Sequence, residues 1–126
     1  MIRSFAASLL GATLLLAACS DAKPEPSRPS PDAYGRGGCV RLAQLVEKND
    51  RFYSSNLTAA SRAVRSSDPA VSAAGKQLVL AAKEAGDLDV GSHGKADLTQ
   101  AEAGIADAQQ KLMTACRDLL GEQPWS

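Results

Sequence analysis

Near the end of the chain seven apolar residues recur without a break: Leu98, Ala101, Ile105, Ala108, Leu112, Ala115 and Leu119. Intervals of three and four match the helical period and put all seven on one face, as in a heptad seam. A strand would need alternation instead. The spacing predicts a helix that starts at Asp97, whose carboxylate can accept from first-turn amides while Gln100 reaches back. Gly121 ends it and Pro124 prevents its resumption. The same period marks Val71, Ala74, Leu78, Ala81, Ala82 and Ala85 as the buried face of an earlier helix. Asp68-Pro69 opens that helix as cap and first-turn proline, Gly86 is placed to close it, and Asp87 to Lys95 reads as a turn-rich loop. Before it, Leu42, Val46, Phe52 or Tyr53, Leu57, Ala60 and Val64 define a first stripe, with Asn49 in an apolar position. Continuity on both sides of Asn49 predicts one long helix. The expected fold class is therefore all-α, a small three-helix bundle. A break between Asn49 and Asn56, giving four shorter helices, is the alternative.

Met1 to Ala18 has a different character. Arg3 is its only charge, Phe5 to Ala18 is apolar, and two small residues lead into a cysteine at Leu16-Ala17-Ala18-Cys19. The run is about fourteen residues, short of the roughly twenty that cross a bilayer, and its layout is that of an export signal. The tetrad resembles the lipobox of bacterial lipoproteins. That resemblance implies cleavage between Ala18 and Cys19, a diacylglycerol on the Cys19 thiol and often a further acyl chain, such as palmitate, on the new amino group. It places the protein on the cell membrane or outer membrane, facing away from the cytoplasm. Two or more acyl chains make a lasting anchor, since each buried methylene contributes about 0.8 kcal/mol. Residues 1–18 are then the signal peptide. Residues 19–38 are the lipidated cysteine and a tether, in which Pro24, Pro26, Pro29 and Pro31 favour extended backbone and Gly35-Arg36-Gly37-Gly38 restores flexibility. Residues 39–126 are the helical domain.

The chain has 3 cysteines. With Cys19 acylated, Cys39 and Cys116 remain as a pair in an oxidising compartment, and a disulfide between them is expected. It would close a loop that limits the unfolded chain by roughly 4–5 kcal/mol at most. A simple up-down-up bundle places the two at opposite ends of a first helix about 40 Å long, whereas bridged α-carbons lie within roughly 7 Å. Either the Asp87–Lys95 loop carries the chain back along the second helix, or the first helix is broken. The crossover is the favoured expectation.

Charge narrows the function classes. The chain has 14 Lys and Arg against 14 Asp and Glu, with the signs mixed along the sequence, so neither a nucleic-acid stripe nor a polybasic lipid-binding segment is expected. Aromatic residues are 4% of the chain, so a core of Ala, Leu and Val buries little area and benefits from a covalent staple. The only histidine, His93, shares a loop region with Asp87, Asp89 and Asp97, but the Asp87-x-Asp89-x-Gly91 start departs from a calcium loop at Ser92 and Leu98. No metal or cofactor is expected. No nucleophile elbow or phosphate-binding glycine loop is present, and Glu84, Asp87 and Glu102 have no evident cleft, so no catalytic residue is assigned. Asn56-Leu57-Thr58 reads as a chance glycosylation sequon. Phe52, Tyr53 and Trp125 are either partner anchors or covers for the bundle ends. The expected function is a membrane-anchored, non-enzymatic binding or accessory module for another envelope protein. The alternative is a carrier or sensor of a small apolar ligand between the helices.

Overall fold

The computed structural model describes residues 32–126. The leader, Cys19 and the proline-rich stretch lie outside the described residues, and the chain from Pro31 onward forms one compact unit. Among the described residues there are four helices and no strand: α1 (Ala33–Glu47), α2 (Tyr53–Val64), α3 (Pro69–Gly91) and α4 (Thr99–Leu120). The class is all-α as expected, in its four-helix form. The favoured single long first helix is therefore corrected.

Asn49 is what breaks it. The residue adopts φ 53° just past the end of α1. Asn49 N–H donates to the Val46 carbonyl at 3.1 Å and Asp50 N–H to the Leu45 carbonyl at 2.8 Å, the paired bonds of a left-handed helix stop. Asn tolerates that conformation better than other non-glycine residues. Asn49 is thus an exposed terminator and not part of a buried stripe. The interruption also resets the helical phase. In α2 the buried face is Asn56, Ala59, Ala60 and Ala63, so Leu57 and Val64 of the predicted stripe are only half-buried.

The tether boundary moves as well. Gly35 to Gly38, read as flexible linker, lie inside α1, which begins six residues before Cys39. Asp32 caps it by accepting from Gly35 N–H at 2.8 Å. The glycines serve close approach: a Cβ on Gly38 would stand 2.8 Å from the Ala63 nitrogen, and one on Gly35 would stand 2.6 Å from the Ser66 hydroxyl. Opposite them, a Cβ on Gly75 would stand 2.9 Å from the Ala63 methyl. Ala63 is thereby clasped between α1 and α3. Alanine and glycine on these faces draw the helices together.

Asp68 and Pro69 start α3 as predicted, with the carboxylate accepting from Val71 N–H at 2.9 Å. Gly86 does not end it. The helix runs on to Gly91, and Gly86 is instead a packing position where a Cβ would stand 3.1 Å from the Tyr53 Cδ2. The true stop is His93 at φ 57°, followed by Gly94 at φ 77°, with Gly94 N–H donating to the Asp89 carbonyl at 2.8 Å. The connector shrinks to residues 92–98. Helix α4 starts at Thr99, two residues past Asp97, whose carboxylate accepts from both the Thr99 amide and hydroxyl. Gly121, at φ 83°, ends α4 as predicted.

Successive helices run antiparallel. The start of α1 meets the end of α2 through Asp32 and Ser66, and Tyr53 at the start of α2 lies against Gly86 late in α3. This up-down-up-down order returns α4 beside α1, where Cys39 and Cys116 are bonded with α-carbons 5.7 Å apart. The bridge needs no crossover loop. Leu42, Val71, Leu78, Ile105 and Leu112 fill the centre together with the disulfide, all fully buried.

Candidate interaction surface

Away from the disulfide, at the α1–α2 bend, the interior holds a cluster of buried amides. Gln109 Nε2 on α4 donates to the Asn56 Oδ1 at 2.6 Å and to the Asp50 carbonyl at 2.9 Å, while Asn56 Nδ2 donates to the Phe52 and Asp50 carbonyls. The cluster pins the α1–α2 bend onto α4. Every buried side-chain nitrogen and oxygen among the described residues has a partner, so the cluster is complete as it stands. Burial of Asn56 also takes the sequon out of reach of a glycosyl donor. Neither buried amide stands out in the sequence, because Gln109 flanks the α4 seam and Asn56 becomes interior only through the phase reset at Asn49.

The loop residues weighed as ligands are not brought together. His93 is exposed, and its backbone role is the left-handed stop. Asp89 accepts from the Tyr53 hydroxyl at 2.8 Å, and this bond raises the phenol pKa above its usual value. The Asp97 carboxyl is held below its usual value by the Thr99 hydroxyl and amide. Among the described residues no group of three or more His, Cys, Asp and Glu converges. Of the aromatics, Tyr53 and Trp125 pack on the core, with the indole N–H donating to the Gly121 carbonyl at 2.9 Å. Phe52 is 53% exposed, leaning on the Tyr53 ring at 4.6 Å.

The outer faces of α1, α2 and α3 carry the distinctive surface. Between α2 and α3 runs a groove of about 540 Å³ with an apolar floor of Val64 and Val79, the exposed Leu80, and Arg65, Lys76 and Ser61 on its sides. Leu80 is 65% exposed. Round the corner, Arg36, Arg41 and Arg62 line a second groove of about 410 Å³ between α1 and α2. Arg62 and Arg65 are neighbours at helical i,i+3 spacing, but each lines a different groove. Arg65 stands over the Tyr34 ring at 4.9 Å, and Arg36 donates to the Ser126 carbonyl at 2.8 Å.

Acids do not answer these cations. Among the described residues the single ion pair is Lys111–Asp107 on α4, at 3.5 Å. The even mixing of charge expected from the whole chain is corrected by its halves. Residues 33–83 contain eight Lys and Arg against three Asp and Glu, and residues 84–126 contain three against eight. Of the three acids in the first half, Asp50 accepts from Phe52 N–H and Asp68 caps α3. The fold therefore gathers positive charge on α1, α2 and the first part of α3, and negative charge on the α3–α4 hairpin. Among the described residues no helix is long and apolar enough to cross a membrane. Comparison with protein-family models, curated proteins and solved structures gives no significant match, so the surface stands on its own geometry.

Proposed function

We propose that this protein is a lipid-anchored binding module of the cell envelope, held by acyl chains on Cys19 and presenting the α1–α3 side of its bundle to another envelope component. The reading assigns no catalytic residue and no cofactor. The observation that supports it is the α2–α3 groove: an apolar floor with Leu80 projecting from it, flanked by Arg65 and Lys76, which have no acidic partner among the described residues. Exposed apolar surface rimmed by charge marks interaction sites. A photo-crosslinking side chain at position 80 of the full-length protein, in membranes of its host, is expected to give a reproducible adduct, whereas one at Gln110 on α4 is not. Adducts from position 110 alone, or from neither, would overturn the assignment of the face. Mass analysis of the native amino terminus tests the anchor separately.

A second reading rests on the apolar lining of that groove, which offers Val64, Val79 and Leu80 to a small apolar ligand. A small apolar ligand seated on Val64, Val79 and Leu80 would appear as a bound mass in native mass spectrometry of the protein from its host. A Leu80→Ser variant is expected to lose it.

A further inference from the structure

The partner of this face follows from its chemistry and from where the chain leaves it. We infer that the α2–α3 side of the bundle docks on an anionic phospholipid surface, with Leu80 entering the headgroup layer and Arg65, Lys76 and Lys83 meeting phosphates. The inference rests on the binding-module reading above and names the component bound. Three observations support it.

First, Lys76, Leu80 and Lys83 fall at i, i+4 and i+7 of α3, one stripe on the outside of the helix, with Arg65 of α2 across the groove. Cations flank Leu80 on three positions of this surface while Glu84 stands one turn beyond it, and an exposed apolar side chain among cations suits the interface of an anionic membrane. Second, the two acids at the Arg65 end of the groove, Asp32 and Asp68, are occupied internally. Asp32 accepts from Gly35, Ser66 and Ser67, and Asp68 accepts from Val71. Glu84, one turn past Leu80, is where the acidic half of the chain begins. Third, the chain exits toward its amino terminus at Asp32, hydrogen-bonded to Ser66 and Ser67 beside Arg65. With Cys19 acylated, the stretch from 20 to 31 is all that separates this end of the bundle from the lipid. At about 3 Å per extended residue it reaches no more than ~40 Å, so this end stays within reach of the headgroups.

The test uses the unlipidated domain, residues 32–126, which carries its own core and disulfide. It is sedimented with vesicles of phosphatidylcholine alone or of phosphatidylcholine with phosphatidylglycerol. Binding is expected to the anionic vesicles only, and to fall away as the Debye length shrinks from about 10 Å at 0.1 M salt to about 3 Å at 1 M. Each cation removed should weaken partitioning about fivefold, so Lys76→Ala loses about fivefold and Lys76→Ala with Lys83→Ala roughly twenty-fivefold. Leu80→Ser should weaken it too. Lys111→Ala, on the acidic side, should leave it unchanged. Circular dichroism of each variant separates lost binding from lost folding. No binding to anionic vesicles, equal binding to neutral ones, or binding indifferent to Lys76 and Lys83 would overturn the inference. Should vesicles fail while crosslinks from position 80 still capture a protein, the lipid partner falls and the binding module stands. Failure of both removes the face altogether.

Discussion

Single atoms decide much in a core built from alanine. Gly75 and Gly104 both sit inside helices, where glycine costs roughly 0.5–1 kcal/mol relative to alanine. Only their surroundings differ. Around Gly104 nothing lies within 4 Å of an added Cβ, whereas at Gly75 the Ala63 methyl and the Val64 nitrogen are both 2.9 Å away. Gly104→Ala is therefore expected to stabilise the domain by about 0.5–1 kcal/mol. Gly75→Ala should destabilise it by about 1–3 kcal/mol, because backbone must move to admit the methyl. Urea unfolding of the two variants side by side reads the difference. Gln109 makes the complementary case. Gln109→Ala leaves the Asn56 Oδ1 without its donor inside the protein, and a loss of about 1–3 kcal/mol is expected in the same measurement. No pattern in the sequence announces either residue, since the cost of a methyl or a missing amide depends on what another helix brings within 3 Å.

At the level of elements, the connections are held by side chains acting on two helices at once. Asp32 is the main case, since it caps α1 and accepts from the amide and hydroxyl groups that join α2 to α3. The Gly35 N–H, with the Ser67 and Ser66 bonds, lowers its pKa from 3.8 to about 2, against an opposing contribution from burial. A carboxyl held lower in the folded than in the unfolded state stabilises the fold above the unfolded value. That contribution drains away as pH falls from about 4 toward 2. Asp32→Asn should lower the melting temperature at neutral pH and flatten its decline over that acid window, as thermal melts at stepped pH would show. A slope unchanged by the substitution would mean that other carboxylates carry the acid sensitivity. Helix ends were only partly legible for the same reason. Asp68-Pro69 and Gly121 act locally, so their spacing alone announces them. Asn49 and His93 end their helices in the left-handed conformation without being glycine, and Gly86 is a packing residue that resembles a stop.

The whole molecule is stapled and electrically lopsided. Cys39 and Cys116 are both fully buried, and their bond spans 77 residues between the first helix and the last. Reduction should lower unfolding free energy by up to about 4–5 kcal/mol, measurable as a shift in urea midpoint with and without reductant. An unchanged midpoint would show that helix contacts alone hold α1 to α4. The opposed charge of the two halves gives the domain one positive side although its total is nearly neutral. A neutral sum therefore says nothing about whether a charged partner can be bound, because binding depends on local field and not on net charge.

Helical period, the all-α class, the cap at Asp68-Pro69 and the pairing of Cys39 with Cys116 were determined by the sequence alone, because each rests on local spacing or on the arithmetic of three thiols. The break at Asn49, the helical use of Gly35 to Gly38, the burial of Asn56 with Gln109 and the cationic face around Leu80 were decided only by tertiary structure. Those depend on which helix lies opposite and at what phase. A bend of a few residues turns one face inward and another out, and no count along the chain records that rotation.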